Sequence, residues 1–137
     1  MSFDAVNPDE LGPPKGWTNG MLAAAGGRVL FVAGQDAANS DGVVTTDDFV
    51  EQFDLALEKT MLVVRQAGGA AESIGRMTVY VTDLDAYRAA RKAIGQIWRN
   101  HMGRHYPAMA LMEVSRLVDP RGLVEIETTA VIQPNDD

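Results

Sequence analysis

The sequence predicts an α+β domain with the element order β-β-α-β-α-β-β, in which a mixed sheet carries two helices on one face. Two capped segments with helical apolar spacing alternate with short runs of β-branched and aromatic residues. The chain has 137 residues, of which 46% are hydrophobic and 23% are charged, enough to build one core. We therefore expect residues 1–137 to form a single domain.

The N-terminal part predicts two strands around a glycine pair. Residues 1–16 include three prolines and are typical of an extended lead-in without a helix. Residues 21–25 and 28–33 are apolar runs that flank Gly26-Gly27, and both turn positions can adopt a positive φ. This pattern predicts a β-hairpin between the two runs.

Caps and apolar spacing predict the two helices. Asp48 caps the first helix, and the glycine pair that starts at Gly68 ends it. Asp83 caps the second helix, which stops near Gly103. Between them, residues 74–82 are β-branched and aromatic, which predicts a strand.

Residues 106–114 and 123–132 predict the last two strands, which we expect to be partners. In the first of them, Met109 and Leu111 project to one face, whereas the alternate residues, also apolar, project to the other. A sheet that is apolar on both faces needs cover on both, and two helices cover only one. We therefore expect a homo-oligomer, with a pocket that can lie between subunits.

Composition argues against several classes of partner. A net charge of −7 and a pI near 4.7 argue against nucleic acid, which selects a basic surface. The chain has no cysteine, so it has no disulfide, thiol nucleophile or thiolate metal site. No apolar run approaches the ~18 residues of a membrane span, and no signal core or nucleotide-binding motif is present. We expect a cytoplasmic protein with no cofactor and no membrane partner.

Three side-chain arrangements could carry chemistry, and each has a plain structural alternative. Glu125 and Glu127 share one face of a strand and could supply a general acid or base, although exposed strand charges are common. Arg91 interrupts the apolar side of the second helix, where it could hold a carboxylate or cover the core with its stem. His101 and His105 have the spacing of a helical metal pair, but the helix ends between them, and we predict no metal site.

Trp17 and Gln35 are the remaining candidates. The indole of Trp17 could wall a pocket or cover the core. The amide of Gln35 follows a strand end, where it could bind a substrate or cap a loop. The residues alone leave these alternatives open.

An ordered set of short motifs runs through residues 7–132. It includes Gly34-Gln35, residues 77–83, Pro107-Ala108 and residues 124–127. This order resembles the Rid/YjgF family of imine and enamine deaminases. The resemblance implies a chorismate-mutase-like fold and a homotrimer with clefts at the subunit interfaces. It also implies hydrolysis of reactive enamines and imines to carbonyl compounds and ammonia, without a cofactor.

The resemblance also implies roles for four residues. Glu125 matches the glutamate that positions the attacking water and is the expected catalytic residue. Trp17 matches an aromatic substrate-binding position that is usually tyrosine. Gln35 matches the glutamine of the Gly-Gln pair, and Ala33 stands where a small hydroxyl residue often precedes that pair.

Three positions depart from the family pattern. Met109 replaces the arginine that follows Pro-Ala and grips the substrate carboxylate, and a thioether cannot pair with a carboxylate. Leu111 replaces a small cysteine or serine-type residue. Arg91 aligns with an asparagine, so a guanidinium could enter the cleft from another wall. We include all three among the substrate-binding positions.

Three functions stay open at this point. The first is an enamine/imine deaminase with altered specificity, for example for a muconate-type ring-cleavage product. The second is a trimer that binds a small apolar or aromatic metabolite without chemistry. The third is an interaction or chaperone-like protein on the same fold.

Overall fold

The structure is a computed structural model that describes residues 3–134; positions 1–2 and 135–137 of the expected domain lie outside the described residues. The strands are β1 (Phe3–Val6), β2 (Gly20–Ala23), β3 (Arg28–Gln35), β4 (Ile74–Val81), β5 (Ala108–Glu113) and β6 (Val124–Ile132). The α-helices are α1 (Phe49–Gln66), α2 (Leu84–Ala89) and α3 (Arg91–Met102).

The main sheet has four strands in the order β3-β6-β4-β5. β4 and β5 are parallel, as the crossover through α2 and α3 requires, and the other two pairs are antiparallel. The sheet is therefore mixed, and the predicted α+β fold class is confirmed.

The predicted hairpin around Gly26-Gly27 is wrong. Gly26 does take a positive φ of 89°, so the chain turns there. However, β2 pairs with β1 in a separate two-stranded sheet, and β3 pairs with β6. The lead-in is also more structured than predicted, because it holds β1 and a 3-10 turn at Asp9–Leu11. The ring of Phe3 fixes β1 by lying against Gly75, where a Cβ would come within 2.7 Å of it.

Two further predictions need correction. The last two strands are not neighbours, because β4 lies between β5 and β6. The second helix is broken at Ala90, whose φ and ψ of −98° and 5° lie outside the helical range and separate α2 from α3. The predicted caps are confirmed, since the side chains of Asp48 and Asp83 accept from backbone N–H groups of α1 and α2.

The two faces of the main sheet are covered differently. On one face, Leu57 of α1 and Trp98 of α3 pack with the alternate residues of β4 and β6 to form a continuous core. On the other, Phe31 is 80% exposed and Val29 57% exposed. The prediction of a sheet that is apolar on both faces is therefore confirmed. Within the described range, no helix combines the length and hydropathy needed to cross a membrane.

Candidate functional site

Glu125 lies on the open face of the sheet, beside an irregularity in β3. The register between β3 and β6 shifts between Val32 and Gln35, which marks a bulge. The Glu125 side chain crosses the backbone of Gly34 so closely that a Cβ there would come within 2.2 Å of Glu125 Oε2. Glycine therefore provides the space that the carboxylate occupies.

Charged neighbours shape the chemistry of Glu125. Burial raises the pKa of this carboxyl above its ordinary value of 4.5, and the negative charges of Asp36 and Glu127 raise it further. The nearby ammonium of Lys59 opposes the rise; its Nζ lies 3.3 Å from Asp36 Oδ1 and 2.8 Å from the Ala38 carbonyl oxygen. We call Asp36, Lys59, Glu125 and Glu127 the acidic cluster.

A cavity of about 210 Å³ lies on the opposite, helix-covered face of the sheet. We call it the apolar pocket. Met109 and Leu111 of β5 form its floor beside the core. The rest of its lining comes from strand β4, the helices, the loop before β5 and one glycine of the N-terminal segment: Gly16, Phe53, Val79, Tyr87, Arg91, Ile94, Gly95, Trp98 and Tyr106.

The lining of the apolar pocket includes two stacked aromatic rings and an arginine. The rings of Trp98 and Tyr106 are stacked, with centroids 6.1 Å apart and an interplanar angle of 7°. Arg91 is the charged member of the lining and stands at the exposed first position of α3. Its Nε donates to the Arg88 carbonyl oxygen at 3.4 Å, and no carboxylate within residues 3–134 forms an ion pair with it.

The other candidates lie near one or other of these regions. Trp17 is 43% exposed in an adjoining cavity of about 450 Å³ and donates to Asn19 Oδ1 at 3.3 Å. Ala33 and Gln35 flank Gly34 next to Glu125, and the Gln35 amide donates to the Ala33 carbonyl oxygen. Trp17 is thus placed by the apolar pocket, and Ala33 and Gln35 by the acidic cluster.

The structure does not bring all predicted site residues together in one chain. Arg91, Met109 and Leu111 share the apolar pocket on the helix-covered face. Glu125 lies on the open face, because it alternates along β6 with the buried Val124 and Ile126. A single chain therefore carries the candidate residues in two groups on opposite faces of its sheet, and we call these groups the two half-sites.

The sequence indicated some lining residues only as core. Tyr87 and Trp98 lie on the apolar side of the predicted helix, at helical spacing from Arg91, and that shared side was the available signal for a pocket. Lys59 and Asp36 carried no such signal, because the fold brings them to Glu125. The two histidines are separated: His101 pairs with Asp54 at 2.6 Å, and His105 contacts the Ile74 carbonyl oxygen at 2.7 Å.

Comparison with known proteins identifies the family. Residues 10–132 match the family described as Endoribonuclease L-PSP. The chain is 31% identical over 105 residues to a RutC family protein of Pasteurella multocida, covering 77% of this chain and 81% of the relative. It is 30% identical over 106 residues to an Escherichia coli protein named "Putative reactive intermediate deaminase TdcF", covering 77% and 80%.

Solved structures agree with this assignment. The Rid-family protein YyfB of Yersinia pestis, described as being of unknown function, superposes with a TM-score of 0.83 at 30% identity, covering 96% of this chain and all of the other. Escherichia coli TdcF with bound serine superposes with a TM-score of 0.67 at 27% identity, covering 93% and 90%. The fold and the family match define the same class of protein. The chain belongs to the Rid/YjgF family, as the resemblance predicted.

Proposed function

We propose that this chain is a cofactor-independent enamine/imine deaminase with altered substrate specificity, acting as a homotrimer. The observation that carries this proposal is Glu125, a partly buried carboxyl with a raised pKa, held across Gly34 at a strand bulge. Relatives support it, because TdcF carries a deaminase name and has been seen with a bound amino acid.

The chemistry needs only water and one carboxyl group. Glu125 accepts a proton from water as the water oxygen bonds to the carbon of the protonated imine, which gives a neutral carbinolamine. The same carboxyl returns that proton to nitrogen and the C–N bond breaks to release ammonia. The carboxylate then takes the hydroxyl proton as the C=O bond forms, which leaves a carbonyl compound. An enamine first takes a proton on carbon to become the protonated imine. A raised pKa suits a group that must both accept and donate a proton near neutral pH.

The two half-sites call for a second copy of the chain. Substrate held in the apolar pocket of one copy is out of reach of Glu125 in the same chain, because the sheet separates them. The exposed apolar face around Phe31 and Val29 offers a surface on which copies can pack. In the proposed trimer, Glu125 of one copy serves the apolar pocket of the next.

Charge favours a small substrate over a nucleic acid. The family description names an endoribonuclease, but this chain carries a net charge of −7. A cavity of about 210 Å³ with one arginine matches a small monoanion better than a polyanion.

The proposal is tested by ammonia release from a panel of freshly generated 2-imino acids and aminomuconates. Removal of a general acid/base typically costs about 10²- to 10⁴-fold in rate, so Glu125→Gln should lower kcat by that much with KM little changed. Glu127→Gln removes the same charge from the same face and should keep most of the activity. No turnover of any panel member by the wild-type protein would contradict the proposal.

A second candidate function is binding of a small metabolite without turnover. The separation of Arg91 from Glu125 within one chain favours it, because the apolar pocket is complete without the carboxylate. It predicts ligand-induced thermal stabilisation that Glu125→Gln leaves unchanged, with no ammonia release.

A further inference from the structure

The size of the apolar pocket limits what it can hold. Its volume of about 210 Å³ equals roughly seven waters of the liquid and somewhat exceeds the ~150 Å³ of an engineered apolar cavity that binds benzene. A single six-membered ring with a short chain attached fits this space. A two-carbon side chain leaves most of it empty.

The walls favour a planar apolar group. The stacked rings of Trp98 and Tyr106 present aromatic surface, and Met109 and Leu111 add flexible and branched aliphatic surface. Met109 offers no hydrogen bond to a carboxylate, so a charged group is disfavoured at the floor of the pocket.

The exposed end of the apolar pocket determines which ligand charge the pocket prefers. Arg91 is the charged residue of the lining, it is exposed, and its guanidinium forms no ion pair within residues 3–134. Among the residues that the structure describes, no acidic side chain lines the pocket to repel an anion. A carboxylate therefore binds at the mouth beside Arg91, with the apolar part of the molecule pointing inward.

We propose that the apolar pocket selects a monocarboxylate bearing one aromatic ring, with the ring against Trp98 and Tyr106 and the carboxylate on Arg91. Resting on the proposed deaminase function, this makes the substrates 2-imino-3-arylpropanoates. In such a molecule the imine carbon is bonded to the carboxylate carbon. It therefore lies at the mouth, where a second copy can reach it, while the ring fills the pocket.

The test measures binding of three probes to the full chain by calorimetry and by tryptophan fluorescence. The probes are phenylpyruvate, pyruvate and the uncharged phenylacetone. Phenylpyruvate should bind at least about 10-fold tighter than pyruvate, because only the aryl compound fills the pocket. Arg91→Gln should weaken phenylpyruvate by about 10-fold and leave phenylacetone unchanged. Lys92→Gln, the same charge change one position along α3, should alter neither.

A second variant keeps the test independent of Arg91. Leu111→Trp fills the pocket and should abolish binding of both phenylpyruvate and phenylacetone. Equal affinity for pyruvate and phenylpyruvate would overturn the proposal, as would equal effects of Arg91→Gln and Lys92→Gln. Binding of phenylpyruvate only by a dissociated chain would also overturn it, because the pocket would then be filled by a second copy.

The same probes separate this inference from the proposed function. Glu125→Gln should bind phenylpyruvate as tightly as the wild-type chain does. Rapid hydrolysis of small aliphatic imines with no preference for aryl imines would contradict the proposed aryl selectivity. It would still support the deaminase function. Tight binding of phenylpyruvate with no hydrolysis of any imine would contradict both the deaminase function and the proposed substrates. It would still support an aromatic monocarboxylate as the ligand of the apolar pocket.

Discussion

The two faces of the four-stranded sheet carry opposite halves of the proposed chemistry. The helix-covered face holds an apolar pocket lined by Arg91, which forms no ion pair among residues 3–134 and can bind an anion. The open face holds the acidic cluster around Glu125, which suits proton transfer. In the proposed function neither half performs the reaction alone, and we therefore expect the reacting site between copies of the chain.

The largest effect is expected from a substitution that prevents copies of the chain from packing on the open face. Phe31→Asp places a carboxylate on that face, on the edge strand β3, and burying it unpaired costs ~3–5 kcal/mol. We expect dissociation to monomers, measured by light scattering, with loss of detectable deaminase activity. Leu62→Asp makes the same kind of change at a 55%-exposed position on α1 and should leave assembly and activity intact. A fully active Phe31→Asp monomer would show that one chain suffices.

The covered face should dominate the stability of the chain. Leu57 is fully buried in the core between α1 and the sheet, so Leu57→Ala should lower the free energy of unfolding by ~2–5 kcal/mol. Leu62→Ala is the same substitution at an exposed position of the same helix. Beyond the difference in helix propensity, it should lower the free energy of unfolding by less than about 0.5 kcal/mol. Urea denaturation of both variants measures the difference. Equal losses would mean that the core is not where the structure places it.

A smaller effect tests the bulge beside Glu125. Gly34→Ala puts a methyl group where the Glu125 carboxylate lies, so the carboxylate must move while the fold is kept. Since a misplacement of 1 Å can cost up to ~100-fold in rate, we expect kcat to fall by about 10-fold or more. In a Glu125→Gln background the same substitution should have no further effect on kcat. Additive losses would show that Gly34 acts independently of Glu125.

The smallest predicted effect is the pH dependence of stability due to Glu125. Its pKa is raised in the folded chain above the ordinary value of 4.5, so the folded state holds the proton more tightly than the unfolded state. Its contribution to stability is therefore present below pH 4.5 and is lost as the pH rises through the folded pKa. Glu125→Gln should raise the melting temperature at pH 7, and the gain should shrink toward pH 4.5.

That gain should be small, since solvent screens a partly exposed carboxyl. Glu127→Gln controls for the change in net charge. A melting temperature that Glu125→Gln lowers at pH 7 would contradict the assignment of a desolvated carboxylate.

The parts of the fold that the sequence predicted depend on local chemistry. The cap at Asp48 and the alternation around Ile126 are set by nearby residues, and both predictions are confirmed. Strand partners are set by distant contacts, so the hairpin at Gly26 and the pairing of the last two strands were wrong. For the site, the sequence indicated Arg91 and Glu125 but not their separation, because the face that each occupies depends on the sheet order. The closeness of Gly34 to Glu125 arises only when β3 and β6 pair.

If binding and proton transfer come from different copies of the chain, two inactive variants should restore activity when they are mixed. Glu125→Gln keeps its apolar pocket, and Leu111→Trp, whose pocket is filled, keeps its carboxylate. After the two are unfolded together and refolded at equal amounts, random assembly of a ring should pair intact halves at about a quarter of the interfaces. Roughly this fraction of wild-type deaminase activity should return. Activity no higher than the average of the two separate variants would contradict this expectation, because both halves would then have to be intact in the same chain.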